Sequence, residues 1–233
     1  MTKATEQMTS ESTGGTIVVD SQNQDPGQGS PVQAVLFDLF GVIADTQSPA
    51  GQARILSVAD YRDAETFWPA YWGLRKSYDA SELSGPDYWR AVAAELGTTF
   101  TAAQIAELID ADCASWRDVN PAMVALLENL AASGLTIALL SNLPSELADT
   151  FEPRNASWLR LMASVGFSCR IGHAKPDAAA FAWSARALGL DPAGILFVDD
   201  RADNIEGARA VGMQGHVFTD VSTLAGVIDG ARR

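Results

Sequence analysis

Residues 35–45 read VLFDLFGVIAD, an apolar run that stops at Asp38 and has Phe40 two residues later. Two further aliphatic runs, LTIALL at 135–140 and ILFVDD at 195–200, also lead into polar residues. Segments with helical periodicity separate these runs. Aliphatic strands that alternate with helices are typical of a parallel sheet covered by helices on both faces. The sequence therefore predicts an α/β fold.

Shorter signals complete the expected pattern. GFSCRIG at 166–172 and GHVF at 215–218 predict a fourth and a fifth strand. Asn120 followed by Pro121 predicts a helix start, because asparagine can cap a helix and proline fits its first turn. Three glycines are predicted to end helices: Gly134, Gly189 and Gly212.

The chain divides into three parts by composition and pattern. Residues 1–30 are rich in Ser, Thr, Gln, Gly and acidic residues, which predicts a disordered tail. Residues 46–117 have helical periodicity and no strand-like run, and they are far longer than a usual connection. We interpret them as an inserted helical cap domain. The α/β core then comprises residues 31–45 and 118–233.

Charge and cysteine content exclude several classes of function. The chain has 16 Lys+Arg against 29 Asp+Glu, a formal net charge of -13, which repels nucleic-acid backbones and anionic lipid surfaces. Cys113 and Cys169 are far apart and in no metal-ligand spacing, so neither a disulfide framework nor a zinc site is expected. No bilayer-spanning stretch or secretion signal is visible. We therefore expect a cytoplasmic protein that binds neither nucleic acid nor membranes.

The polar residues that follow the strands are the candidate site. In an open parallel sheet, ligands bind at the carboxyl ends of the strands, so these residues should converge. One strand-end aspartate alone would more often be a turn residue, but several strand ends that each supply a reactive group are harder to explain that way. The residues concerned are Asp38, Ser141, Asn142, Lys175, Asp199, Asp200, Asp203 and Asn204.

This set of groups suits nucleophilic displacement by a carboxylate. Asp38 would attack, while the Ser141 hydroxyl and the Lys175 ammonium could hold the oxygens of a phosphoryl group. A hard cation held by Asp38 and the Asp199/Asp200 pair would neutralise charge during in-line transfer. An acidic protein could in this way accept an anionic substrate, because the site carries its own cations.

Four segments in this order resemble the motifs of the haloacid dehalogenase (HAD) superfamily: FDLFGVIAD, LLSN, GHAKPDAAAF and FVDDRADNIEGARAVGM. The resemblance extends from Val32 to about Asp229. It implies a Rossmann-like core, an aspartyl-enzyme intermediate and usually Mg²⁺. It also implies an all-helical cap inserted after the first motif, as in the C1, subfamily IA branch, which includes sugar-phosphate phosphatases.

The resemblance also implies roles for individual residues. Asp38 corresponds to the nucleophile, and the backbone carbonyl of Phe40 and the carboxylate of Asp200 correspond to metal ligands. Asp199 and Asn204 correspond to supporting residues, with Asp199 expected to pair with Lys175.

Phe40 departs from the phosphatase pattern. Phosphatases of the superfamily commonly have a second aspartate there, which protonates the leaving oxygen and later activates water. The 2-haloacid dehalogenases have an aromatic residue at the corresponding place, since a halide needs no proton. The adjacent carboxylates Asp199 and Asp200 point the other way, because they are costly beside a third carboxylate unless a cation is present.

Substrate contacts are expected from the cap and from the loop after the second motif. Arg75 is the basic cap residue that we expect to contact substrate, and the turn at residues 78–81 is expected to face the site. Asn142 is expected to bond either the substrate or a neighbouring loop. Most aromatic residues of the cap are expected to pack its helices against each other.

Three functions follow from these observations. The leading hypothesis is a Mg²⁺-dependent phosphomonoester hydrolase acting on a small phosphorylated metabolite through an aspartyl-phosphate. The second is a metal-independent dehalogenase-like C–X hydrolase, suggested by Phe40. The third is a catalytically degenerate protein of the superfamily that binds a phosphorylated ligand without turnover.

Overall fold

The computed structural model describes residues 31–116 and 118–232. The predicted tail at 1–30 lies outside the described residues. A single parallel sheet forms the centre, with strand order β3-β2-β1-β4-β5. Its strands are β1 Ala34–Phe37, β2 Thr136–Ser141, β3 Val165–Phe167, β4 Ile195–Asp199 and β5 Gln214–Val217. The predicted Rossmann-like α/β fold is confirmed.

Strand β1 lies in the middle of the sheet, between β2 and β4, and all four of its side chains are buried. Val35 and Phe37 contribute to the core on one face of the sheet and Leu36 to the core on the other, as the alternation of side chains along a strand requires. Residue Asp38 continues the β1 ladder by one step, since its backbone N–H donates to the Val198 carbonyl at 2.8 Å. The first candidate carboxylate is thereby fixed beside the end of β4.

Helices cover both faces of the sheet. Those after the insertion are α5 Pro121–Ala132, α6 Ser145–Leu159, α7 Ser168–Ile171, α8 Ala178–Leu188, α9 Ala202–Ala210 and α10 Val221–Ala231, with a 3₁₀ turn at Pro192–Gly194. Helices α5, α6 and α10 bury one face, and α8 and α9 bury the other. None of the helices within 31–116 and 118–232 has the length and apolar character needed to cross a membrane.

The predicted strand at 166–172 is wrong beyond Phe167. The alternating Phe, Cys and Ile of GFSCRIG imitate a strand, but its neighbour β2 ends at Ser141, which pairs with Phe167. No backbone ladder remains for the next residues, so they turn into the short helix α7. That helix ends at Gly172, whose positive φ of 73° is favourable for glycine.

In the part of the chain that the structure describes, four helices lie between β1 and α5: α1 Pro49–Ala59, α2 Ala64–Asp79, α3 Gly85–Glu95 and α4 Ala102–Ser115. They bury an aromatic cluster of their own, which includes Phe67, Tyr71, Tyr78, Tyr88 and Trp89. The aromatic residues of this segment therefore serve mainly to pack its helices against each other. We call the described residues 46–116 the insertion.

The chain enters and leaves the insertion at adjacent points. The Asp45 N–H donates to the Asp118 carbonyl at 2.8 Å, and the Asn120 N–H donates to the Ile43 carbonyl at 2.9 Å. Ala44 and Val119 form an antiparallel bridge between these two hydrogen bonds. The two connections thus run side by side next to the end of β1.

We expect Asn120→Ala to lower the free energy of unfolding by about 1 kcal/mol. The Asn120 side chain accepts a hydrogen bond from the Ala122 N–H and caps α5, which alanine cannot do. Urea denaturation measures the loss, and the exposed Asn129→Ala within the same helix is the matched control, which should lose nothing. Equal midpoints for the Asn120 variant and the unsubstituted protein would contradict the capping role.

Candidate active site

The carboxyl ends of the central strands open into one cavity of about 470 Å³. Asp38 follows β1, Ser141 ends β2, and Asp200 follows the last residue of β4. Residues from the core and from the insertion line the cavity together. Those from the core include Asp38, Phe40, Ser141, Asn142, Lys175, Asp200 and Asn204, and those from the insertion include Trp72, Arg75, Asp79 and Trp116. The structure therefore brings the predicted strand-end residues to one place.

Lys175 is the central cation of the site. Its Nζ lies 2.6 Å from Asp38 Oδ1 and 2.6 Å from Asp199 Oδ2, and its side chain is buried. The Asn142 side chain fixes the Lys175 backbone, because its amide Nδ2 donates to the Lys175 carbonyl and its Oδ1 accepts from the Lys175 N–H, both at 2.8 Å. Both ends of the Asn142 amide are thus used on a neighbouring loop.

Asp199 uses both of its carboxylate oxygens on donors of the protein. Oδ1 accepts from the Arg201 N–H at 2.9 Å and from Asn204 Nδ2 at 3.0 Å. Oδ2 accepts from Lys175 Nζ at 2.6 Å and also from Asn204 Nδ2 at 3.0 Å. This fully buried carboxylate therefore positions Lys175, and Asn204 on α9 positions the carboxylate.

The site carries more negative charge than Lys175 can balance. Burial, together with the negative charge of nearby Asp199, raises the pKa of Asp38 to about 7 against the opposing effect of Lys175. Burial, together with the charge of Asp199, also raises the pKa of Asp200. Three carboxylates around one ammonium are a strong electrostatic reason for the site to bind another cation.

The oxygen donors present fit a hard divalent cation. One carboxylate oxygen from each of Asp38, Asp199 and Asp200 lies within 4.8 Å of the others. Donors of the protein bind both carboxylate oxygens of Asp199. The carboxylates left to bind a metal ion are therefore those of Asp38 and Asp200. Carboxylate and carbonyl oxygens are the ligands that Mg²⁺ prefers.

Gly41 explains how Asp200 comes so close to the β1 loop. The φ of Gly41 is 93°, and a Cβ built at this position would lie 2.4 Å from Asp200 Oδ2. The absence of a side chain lets the Asp200 carboxylate rest against the main chain directly after Phe40. The Phe40 carbonyl remains a predicted metal ligand.

The Phe40 ring packs on aromatic neighbours instead of offering a proton. Its centroid lies 4.9 Å from that of Trp116 and 5.7 Å from that of Phe151. Phe40 lines the same cavity as Asp38, which precedes it by two residues in the sequence. The position where phosphatases of the superfamily commonly have an acid therefore contributes apolar surface here.

Arg75 lies on α2 and lines the cavity. Two carboxylates of the insertion balance its positive charge. Its Nε lies 2.7 Å from Asp79 Oδ1, and its Nη1 lies 2.9 Å from Asp112 Oδ2. Burial raises the pKa of Asp79 to about 6, against the opposing effect of Arg75. Substrate contact by Arg75 stays a prediction, and any such contact would come from a guanidinium that already has two carboxylate partners.

The 78–81 turn was predicted to face the site, and Asp79 of this turn does line the cavity. Its pairing with Arg75 was not predicted, although Asp79 stands four residues after Arg75 on one helix face, a spacing that pairs opposite charges. Asp112, which reaches Arg75 from α4, left no sequence signal. Most aromatic residues of the insertion were expected to pack its helices, and the sequence did not single out Trp72, which is 47% exposed and lines the cavity.

The turn after α2 docks on the core, near the site. Ser168 Oγ donates to the Asp79 carbonyl at 2.6 Å, and Ser81 Oγ donates to the Cys169 carbonyl at 3.4 Å. The Gly85 N–H donates to Glu146 Oε1 at 3.0 Å. These contacts join α2 and α3 to helices α6 and α7 of the core.

Comparison with protein families gives a match over most of the chain. The model of haloacid dehalogenase-like hydrolases matches residues 32–212. Among curated proteins, Phosphatase MT3486 of Mycobacterium tuberculosis (strain CDC 1551 / Oshkosh) is 29% identical over 216 residues, which cover 86% of this chain and 98% of that protein. Sesquiterpene phosphatase astK of Aspergillus oryzae (strain ATCC 42149 / RIB 40) is 23% identical over 190 residues, covering 81% and 90%.

A solved structure agrees in fold. The HAD family enzyme bt-2542 from Bacteroides thetaiotaomicron superposes with a TM-score of 0.69 at 17% identity, covering 84% of this chain and 99% of that one. The same enzyme has also been solved in complex with magnesium and inorganic phosphate, with a TM-score of 0.65 to this chain.

We expect Lys175→Met to lower the free energy of unfolding by about 3 to 5 kcal/mol at pH 8, because it leaves buried carboxylates without their cation. The loss should be smaller at pH 5, since protonation removes the uncompensated charge and the raised carboxylate pKa favours the folded state at low pH. Denaturant titration at both pH values measures this difference. Lys76→Met is the control, because Lys76 is exposed, 3.6 Å from Asp177, and should cost less than about 1 kcal/mol. A pH-independent loss at position 175 would contradict this account.

Proposed function

The chain belongs to the haloacid dehalogenase-like hydrolases, and from this premise we propose that it is a Mg²⁺-dependent phosphatase of a small phosphorylated metabolite. The observation that carries the proposal is the arrangement at the strand ends. Lys175 binds Asp38 and Asp199 at once, and the Asp200 carboxylate adds a third negative charge beside them. A buried carboxylate next to a fixed ammonium and a cation site suits attack on phosphorus.

Each residue has a part in the proposed reaction. Asp38 attacks phosphorus and forms an aspartyl-phosphate as the ester oxygen leaves, and water then cleaves this acyl phosphate. The Ser141 hydroxyl and the Lys175 ammonium hold non-bridging oxygens of the phosphoryl group. Asp38, the Phe40 carbonyl and Asp200 would hold Mg²⁺, which would supply positive charge to offset the charge of the transferring group. Asp199 and Asn204 keep Lys175 in place.

The insertion is the proposed cap, over the predicted range 46–117. Trp72, Arg75 and Asp79 border the same cavity as Asp38, so a substrate bound to the nucleophile would also contact α2. Closure of such a cap would exclude water while Asp38 attacks. The acidic charge and the two isolated cysteines support a cytoplasmic location.

Phe40 shapes the proposed chemistry. Its ring cannot protonate the leaving oxygen, so the rate should depend on how readily the leaving group departs as an anion. The same residue is the reason to consider a dehalogenase-like C–X hydrolase. The Asp199/Asp200 pair and the two similar phosphatases favour phosphoryl transfer over that alternative. A degenerate, non-catalytic binder would keep the ion pairs and release no product.

We expect Mg²⁺-dependent phosphate release from p-nitrophenyl phosphate or from members of a panel of sugar phosphates and nucleotides. EDTA should abolish it, because Lys175 alone cannot balance the charge of the three carboxylates. Asp38→Asn should lower kcat by at least about 10³-fold, since an amide is not a competent nucleophile. Asp229→Asn, an exposed change on α10, is the control that should keep full activity.

The same assay separates the other two functions. If halide is released from 2-chloropropionate and the release persists in EDTA, the protein is a C–X hydrolase and the proposed phosphatase function is wrong. Binding of inorganic phosphate with no product from any ester or halide, under any divalent metal, would select the non-catalytic protein.

We expect Phe40→Asp to raise kcat for an alkyl phosphate, a poor leaving group, by about 10- to 100-fold, because it supplies a proton donor. Turnover of p-nitrophenyl phosphate, whose leaving group needs no proton, should change little. Phe40→Asn is the matched control, since it has the same shape without a titrating carboxyl. Equal effects of the Asp and Asn variants on both esters would contradict the role assigned to this position.

A further inference from the structure

The cavity has an aromatic wall made of Phe40, Trp72 and Trp116. The centroids of Phe40 and Trp116 are 4.9 Å apart, and those of Trp116 and Trp72 are 6.2 Å apart with the two rings at 89°. The three rings come from the β1 loop, α2 and the end of α4, so the wall spans the core and the insertion. Its members form one continuous apolar surface.

Trp72 is exposed, whereas the other large apolar side chains of α2 are buried or partly buried. Its neighbour Tyr71 is fully buried, whereas Trp72 is 47% exposed and faces the cavity that contains Asp38. Large exposed apolar surface in a concave site is costly in water and marks a place where a ligand binds. The wall therefore indicates a ligand with apolar surface to bury.

The charged residues that border the cavity also favour an apolar ligand group, because their positive charges are already paired. Among the described residues there are four, and each has a carboxylate partner. Arg75 pairs with Asp79 and Asp112, and Lys175 pairs with Asp38 and Asp199. The remaining pairs are more exposed: Lys76 with Asp177 at 3.6 Å and Arg201 with Asp203 at 2.6 Å.

This charge balance disfavours a second anionic group on the ligand. Such a group would compete with carboxylates that are already in place, in a chain of net charge -13. A polyhydroxylated group would gain little from the rings and would lose its hydration against them. An apolar group would lose nothing and would bury the exposed face of Trp72.

We propose that the aromatic wall binds the leaving group, and that the substrates are monophosphate esters of apolar alkyl or aromatic alcohols. This inference rests on the proposed phosphatase function and names its substrate class. Phe40 then has a positive role, because the ring that replaces the acid is part of the surface that holds the leaving group.

The test is a series of 4-alkylphenyl phosphates from methyl to pentyl, assayed with the full chain and Mg²⁺. The phenols of this series have nearly the same pKa, so only the buried apolar area changes. We expect kcat/KM to rise about two- to fourfold per methylene until the cavity is full, mainly through KM. Cyclohexylmethyl phosphate should be a better substrate than glucose 6-phosphate, which has a similar shape and carries hydroxyls.

Variants assign the effect to the wall. Trp72→Ala should flatten the rise along the series, and Trp72→Phe should restore part of it. The Trp72 side chain is half exposed, so neither change should disturb folding. Trp183→Ala is the control, because this α8 residue lies near Gly166 of β3, is not among the residues that line the cavity, and should keep the rise.

The outcomes distinguish this inference from the function on which it rests. A kcat/KM that does not change along the series, or a preference for glucose 6-phosphate, with phosphate release still lost in Asp38→Asn, overturns the substrate class and leaves the phosphatase. If kcat/KM still rises along the series in Trp72→Ala, the aromatic wall is not the surface that binds the leaving group. No phosphate release from any ester overturns the phosphatase and this inference together.

Discussion

The ion pairs of Lys175 with Asp38 and Asp199 are the interaction on which the site depends. They join the ends of two neighbouring strands, β1 and β4, to a loop that follows α7. Each carboxylate is buried, and each would be costly to hold without the ammonium between them. The surrounding structure, including the amides of Asn142 and Asn204, serves to keep this one cation in position.

Much of this site could be predicted from the sequence, because it depends on backbone topology. Parallel strands bring their carboxyl ends to one edge, so the polar residues after each aliphatic run had to converge. The cap of α5 at Asn120 was equally local, since it needs only a side chain two residues from its partner. Predictions of this kind rely on periodicity and on neighbours in the chain.

The rest depends on contacts between distant segments. The pairing of Arg75 with Asp112 joins two helices of the insertion, and nothing in either helix indicates the other. The strand assigned to GFSCRIG was wrong beyond Phe167 for a related reason: a strand needs a partner, and β2 ends at Ser141. The exposure of Trp72 likewise follows from how the insertion lies over the core, which a count of aromatic residues does not show.

The two chain connections at the base of the insertion have a consequence for how such proteins diversify. They lie beside each other, held by the hydrogen bonds of Asp45 and Asn120, so the segment between them can be replaced without changing the path of the core. The nucleophile and its cation stay on one side of that boundary, and most of the side chains that would meet the rest of the substrate lie on the other. Recombination or drift in a single continuous stretch of coding sequence could therefore give a new specificity to an unchanged reaction centre.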